Sequence, residues 1–194
     1  GTAPPDNPFA GNKNYLPEIY SVGHRSPQGL AFHPVTGELF SFGYEAGGLC
    51  TDDVAYWIVD KDGKLTSEQW FKQPYLSTIH DFGITEKYAV FPLFPTLTDL
   101  ERLKAGGDHW QHEPDGDSWM GVMPRYGKVE EMRWFKGPKG VSAFHFVNAF
   151  NEGDVVHIDI CLTSTNAFPF MHRPDDPFNP MRVGPVAERT FHAR

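Results

Sequence analysis

Turn signals recur along this chain so regularly that no long helix fits between them. Leu39 to Tyr44 is an aromatic-rich strand candidate behind the turn Pro34-Val35-Thr36-Gly37. Val54 to Val59 is an apolar, β-branched and aromatic run closed by Asp60-Lys61-Asp62-Gly63, with a second strand running toward Phe71. The Asp-Gly pair supplies the positive φ that a tight hairpin needs. Thr78 to Thr85 and Tyr88 to Phe94 flank Glu86-Lys87, and Trp119 to Pro124 and Val129 to Phe135 flank Arg125-Tyr126-Gly127-Lys128. Phe144 to Phe150 and Val155 to Leu162 flank Asn151-Glu152-Gly153-Asp154. This pattern predicts an all-β meander of hairpins. Its one helical candidate is Thr98 to Lys104, capped by Thr98 with Glu101 completing a capping box, and stopped by Ala105-Gly106-Gly107.

Composition narrows the function classes. With 19 Gly and 17 Pro in 194 residues the chain is cut into short segments, while 14% aromatic residues give it ample apolar area to bury and exclude general disorder. A net charge of −8 without a Lys/Arg-rich run excludes a nucleic-acid partner. No apolar run reaches the roughly 18 residues of a transmembrane helix, and a cytoplasmic location is expected. Cys50 and Cys161 lack metal-like spacing and read as a reduced, buried pair. The first residue is Gly1 and no signal-like segment follows, so the chain is expected to start inside a longer protein. Residues 1–33 read as a loop-rich segment, and Arg173 to Pro185, with four prolines, as an extended connection.

A meander of this kind closes as a sandwich, a barrel or a propeller. A propeller blade takes about 40–50 residues. Two hairpins occupy Val54 to Phe94 and two more Trp119 to Leu162, a rhythm that favours a propeller. Histidines are the chemical signal. His80 and His145 each stand near the start of the first strand of a hairpin, among large apolar residues, and His33 precedes another strand start. They are 47 and 65 residues apart. Equivalent strand starts in successive blades face the propeller axis, so imidazoles there converge and suit iron, copper or zinc. The alternative for each is a core histidine satisfied by the backbone. His109-Trp110-Gln111-His112 reads as a solvated loop, and His157 falls on the partner strand of the His145 hairpin. Neither a Gly-x-Ser-x-Gly elbow nor a phosphate-cradling loop is present.

From about residue 34 to 185 the chain resembles the carotenoid cleavage oxygenases, most closely their lignostilbene-dioxygenase branch. The resemblance rests on Thr36-Gly37-Glu38-Leu39-Phe40-Ser41-Phe42-Gly43-Tyr44-Glu45-Ala46, His80-Asp81-Phe82-Gly83-Ile84-Thr85 and Asp99 through Gly107. Met123-Pro124-Arg125, Arg133-Trp134-Phe135 and Phe144-His145 with Asn148-Ala149 follow in the family's order. It implies about four blades of a seven-bladed β-propeller, residues 34–194 forming the partial propeller. It also implies a ferrous (Fe2+) ion held by four histidines, His80 matching the second and His145 the third. The first ligand belongs to an Ala-His-Pro-x-x-Asp-Pro-x-Thr-Gly stretch. Here an ungapped match puts Gly29 at the ligand and His33 at the Asp, making His33 the remaining candidate. The implied reaction splits a carbon-carbon double bond of a carotenoid, apocarotenoid or stilbene with O2 into two carbonyl products, the substrate being an apolar small molecule.

Residues 1–33 resemble soluble PQQ-dependent aldose dehydrogenases instead, through Pro5-Asp6-Asn7-Pro8-Phe9, Pro17-Glu18-Ile19-Tyr20-Ser21 and Gly23 to Phe32. Arg25 stands where that family's Arg-Asn pair meets the quinone, with Ser26 at the Asn. A junction of two propeller fragments near His33 to Leu39 is expected. Two alternatives stay open: a PQQ-dependent sugar dehydrogenase fragment, and an inactive propeller fragment that self-associates through open strand edges.

Overall fold

The computed structural model describes residues 3–19, 22 and 32–164, and the backbone of Val186–Ala193. Arg25 and the connection from Arg173 to Pro185 lie outside these described residues. In chain order the elements are β1 (Leu39–Tyr44), β2 (Asp53–Val59), β3 (Leu65–Lys72), β4 (Gly83–Ile84), β5 (Tyr88–Leu93), β6 (Thr96–Leu97), α1 (Leu100–Lys104) and β7 (Gln111–His112). They continue with β8 (Asp117–Pro124), a 3-10 turn at Val129–Glu131, β9 (Arg133–Lys139), β10 (Phe146–Glu152), β11 (Val155–Thr163) and β12 (Val186–Ala193). All pairings are antiparallel and make sheets β1-β2-β3, β4-β5-β8-β9 and β10-β11-β12, with a two-stranded ribbon β6-β7.

Strand identity follows from side-chain chemistry. Val54, Ala55 and Tyr56 in the central strand β2 are fully buried, as the near-continuous apolar run requires. Edge strand β3 alternates exposed and half-buried positions, the period-two mark of one outward face. The hairpin between them closes on Asp60, whose Oδ1 accepts the backbone N–H groups of Asp62 (3.0 Å) and Lys64 (2.9 Å), while Gly63 takes φ +81°. Along β11 the same alternation buries Val156, Ile158, Ile160 and Leu162 and turns Cys161 outward. Both cysteines are free thiols, but Cys161 is exposed, so the pair is not a buried one.

Hairpin grouping differs from the sequence expectation. The stretch from Val54 to Phe94 does not form one sheet: β2 and β3 join β1, whereas β4 and β5 are completed by β8 and β9 after an excursion through the β6-β7 ribbon. The first strand of that sheet is also shorter than Thr78–Thr85. The backbone of Leu76 to Thr78 bonds to Thr96 and Thr98 instead of extending the β4 ladder. Pro92 fits this arrangement, because β4 covers only Ala89 and Val90 and leaves that edge of β5 unpaired at the proline. Asp99, not Thr98, caps α1, its side chain accepting the Arg102 N–H at 2.7 Å. Val129 to Glu131 turn as a 3-10 helix before β9 begins at Arg133. The segment read as a solvated loop holds strand β7, with Trp110 and His112 buried.

Two apolar layers join the sheets. Tyr56, Ile58, Ala89, Phe91 and Met123 fill the space between the first and second sheets, with Phe40, Phe42, Phe71 and Phe82 packed against them. Val90, Met120 and Val122 meet Val141, Val156, Ile158, Ile160 and Leu162 between the second and third. A polar clasp ties the turn after β8 to the segment before β1. The Tyr126 hydroxyl donates to Glu38 Oε2 at 2.6 Å, and this bond, aided by Thr36, holds the Glu38 carboxyl below its ordinary value of 4.5. A depressed folded value stabilises the fold above the unfolded value, and that contribution is lost as pH falls through the folded one. Carboxyl NMR titration should therefore place the Glu38 midpoint below 4.5. Tyr126→Phe should move it upward, and an unmoved midpoint would refute the clasp.

Candidate metal centre

Two loop segments, each just before the first strand of its sheet, present the histidines. Residues 77–82 are anchored by Ser77 and Ile79, both buried, and by Phe82, which packs into the layer around Phe91. Between the Ile79 and Phe82 anchors stand His80, which is exposed, and Asp81. Residues 141–145 are held by buried Val141 and Ala143 and by the reciprocal Ser142–Thr163 backbone bonds of 3.1 and 2.8 Å. His145 follows on the exposed side, and a register shift between Phe146 and Asn148 bends the strand immediately after it.

Close approach of β4 and β10 brings the two segments together. A Cβ on Gly83 would lie 3.0 Å from the Ala149 Cβ and 3.1 Å from the Phe146 ring, so only glycine lets the strands come this near. Asp81 then bridges them. Its Oδ1 accepts the Phe82 N–H at 2.8 Å, and its Oδ2 accepts the Phe146 N–H at 3.0 Å while standing 3.8 Å from His145 Nδ1. As a result the His80 and His145 rings lie 5.0 Å apart at 72°, with Phe144 edge-on to His80 at 5.1 Å. Partial desolvation of the ring against its neighbours first, and then the neighbouring His145 charge, lower the His80 pKa from its ordinary 6.5, against the pull of Asp81. A neutral imidazole is the form that coordinates a cation.

His33 lies elsewhere. Its Nδ1 accepts the backbone N–H groups of Val35 (3.3 Å) and Thr36 (3.1 Å), closing the turn before β1. Its ring faces Phe40, whose other neighbours are Tyr126 and Arg125. Arg125 in turn bonds the carbonyls of Thr85 and Lys87, at the far end of β4 from His80. His80 and His145 are thus brought together, and His33 is not brought to them. His157 stacks on Phe150 at 4.6 Å with Nε2 3.3 Å from Glu152, away from the pair. Sequence reasoning passed over Asp81, although it adjoins His80 in the very run that carried the resemblance. Its bridging role depends on Phe146, 65 positions away.

A family model described as RPE65, retinal pigment epithelial membrane protein, matches residues 30–191. An isoeugenol monooxygenase of Pseudomonas putida is 41% identical over 179 residues, which cover 92% of this chain and 37% of that protein. Lignostilbene-alpha,beta-dioxygenase isozyme III of Sphingomonas paucimobilis is 42% identical, covering 80% of this chain and 32% of that protein. Among solved structures, the lignostilbene dioxygenase of Pseudomonas brassicacearum superposes with a TM-score of 0.76 at 40% identity, over 84% of this chain and 34% of that one. A cobalt-substituted Synechocystis structure, 22% identical with a TM-score of 0.60, shares the fold. The chain spans about a third of the length of the relatives it matches. Its antiparallel sheets are those of a β-propeller, and the match favours the oxygenase over the quinoprotein reading. The chain belongs to the RPE65 family of carotenoid cleavage oxygenases.

Proposed function

We propose that this chain carries part of the active site of a non-haem iron dioxygenase that cleaves the double bond of an apolar alkene, a stilbene or a carotenoid or apocarotenoid. The observation that supports this best is the convergence of His80 and His145 from the leading segments of two neighbouring sheets. The donor set fits a ferrous ion: two neighbouring imidazoles, with the His80 pKa lowered by partial desolvation and by His145, which favours the coordinating neutral form. Bound there, Fe2+ would supply a centre at which O2 is activated.

The chain's own residues have separate tasks. His80 and His145 would hold the ion, and Asp81 would fix the distance between them by tying the segment before β4 to the start of β10. Phe144, edge-on to His80, gives the site an aromatic wall suited to an apolar substrate. Overall, one O2 and one alkene become two carbonyl products, one oxygen atom on each former alkene carbon. The names of the relatives, isoeugenol monooxygenase and lignostilbene dioxygenase, favour an aryl alkene over a long polyene. We leave His33 out of the ligand set, because its ring packs beside Phe40, which Arg125 also contacts, at the far end of β4 from His80.

Anaerobic titration with Fe2+, followed by metal analysis, tests the reading. The parent chain and His33→Ala should retain iron, and His80→Ala or His145→Ala should lose it. Equal retention by the His80 and His145 variants would overturn the site. Stilbene-dependent O2 uptake with formation of carbonyl products by the iron-loaded protein would establish the reaction, and uptake without carbonyl products would refute it. Among the described residues no helix is long and apolar enough to cross a membrane. Self-association through the β3 edge, where Trp70 is exposed, remains part of the proposal. A monodisperse monomer by light scattering would exclude it.

A further inference from the structure

A second constellation lies outside the histidine pair. After β1 the chain turns through residues 45–52, and Glu45 and Cys50 both adopt left-handed backbone conformations, φ +50° and +55°. Non-glycine residues hold such conformations only where the surroundings over-determine them, commonly at functional sites. What those two conformations achieve is convergence with His109, from the loop between α1 and β7. Glu45 Oε1 accepts the Cys50 backbone N–H at 2.7 Å and lies 3.0 Å from His109 Nε2. Cys50 Sγ rests 3.1 Å from the Thr98 hydroxyl. His109 is stacked on Trp110 at 4.3 Å and 12°, which fixes its ring plane. One ligand atom from each of Glu45, Cys50 and His109 lies within 4.8 Å of the other two.

We propose that Glu45, Cys50 and His109 bind a divalent zinc ion, or a metal of similar softness, that clasps the loop after β1 to the loop before β7. Zinc takes thiolate, imidazole and carboxylate together, at about 2.3 Å to sulfur and 2.0–2.2 Å to nitrogen and oxygen. Tetrahedral geometry then separates the ligand atoms by roughly 3.3–3.7 Å. The present separations bracket that range, with the Glu45–His109 distance below it and an upper limit of 4.8 Å above it. The thiol releases its proton on binding. The Glu45 carboxylate is already 9% exposed, so a cation there also compensates a largely desolvated charge. Three protein ligands leave the fourth position to water. Nothing in this assignment depends on the iron reading, since no residue is shared.

Titration of the purified chain with Co2+ tests it, because only a thiolate ligand produces sulfur-to-cobalt charge-transfer absorption in the near ultraviolet. The band should appear in the parent, in Cys161→Ser and in a His80→Ala/His145→Ala variant, be displaced by Zn2+, and vanish in Cys50→Ser. Loss of His109 in His109→Gln should weaken Zn2+ binding by at least the factor, on the order of 10–100, that even an outer partner of a metal ligand commands. Should Cys50→Ser fail to fold, iodoacetamide labelling of the parent replaces it. Zinc should slow alkylation of Cys50 and leave exposed Cys161 unchanged. A parent without the cobalt band, a band surviving Cys50→Ser, or unprotected Cys50 would overturn the assignment.

Discussion

Phe91→Ala should destabilise the fold by about 3–5 kcal/mol, the largest loss expected of any single core change here. Phe91 is fully buried in β5. Its ring meets those of Phe42, Tyr56, Phe71 and Phe82 at centroid distances of 6.0, 5.7, 5.1 and 5.8 Å. Phe42, Tyr56 and Phe71 come from the three strands of the first sheet and Phe82 from the segment that carries His80, so the void in β5 would open where the two sheets and that segment meet. Relaxation into it is limited because Tyr56, whose hydroxyl donates to the Arg125 carbonyl, is held in place. Against a typical total stability of about 5–15 kcal/mol, such a loss leaves much of the protein unfolded at modest temperature. Urea unfolding should show the midpoint falling with little change in slope. Val147→Ala, at a position 68% exposed, should fall within about 0.5 kcal/mol of the parent. A Phe91→Ala cost under about 1 kcal/mol would mean that the aromatic layer is not the core of this fold.

Asp81→Ala should act on both stability and the proposed site. The change removes the acceptor of the Phe82 and Phe146 N–H groups, and leaving a partly buried donor unpaired costs about 1–3 kcal/mol. It also frees the start of β10 and with it His145. Iron affinity should fall by a factor on the order of 10–100, as for outer partners of metal ligands. Asp81→Asn separates the two effects. Its single amide oxygen can accept one of the two backbone N–H groups, while the amide nitrogen cannot accept the other, so only part of the stability should return. Its lost charge no longer favours His145, so affinity should recover only in part. Paired urea and Fe2+ titrations read both quantities. Unchanged affinity in Asp81→Ala would show that Asp81 supports the fold alone.

The legible parts of the sequence were those governed by covalent neighbours. Asp60 and Gly63 announce their hairpin because the side chain and the positive φ act within four residues of each other. The apolar run Val54 to Val59 announces a strand covered on both faces, and His80 and His145 announced themselves by standing before strands. Misreadings arose where a local preference met a distant partner. Thr98 looks like a helix cap, yet it is buried against Cys50, and Asp99 takes the cap. The His109–His112 segment looks solvated, yet Thr96 and Leu97 pair with it and bury His112. Cys161 reads as one of a buried, reduced pair for want of metal-like spacing, but strand alternation turns it outward.

By itself, then, the sequence determined an all-β chain, the places where it turns, and two histidines positioned at the heads of strands. Turn chemistry and side-chain period are properties of a few adjacent residues. Tertiary structure alone decided which hairpins share a sheet, how near Gly83 lets β4 approach β10, and that Asp81 spans the gap. It alone drew Glu45, Cys50 and His109 into one cluster, and left His33 closing a turn. Those outcomes depend on contacts between residues tens of positions apart, whose geometry is set by how whole sheets pack.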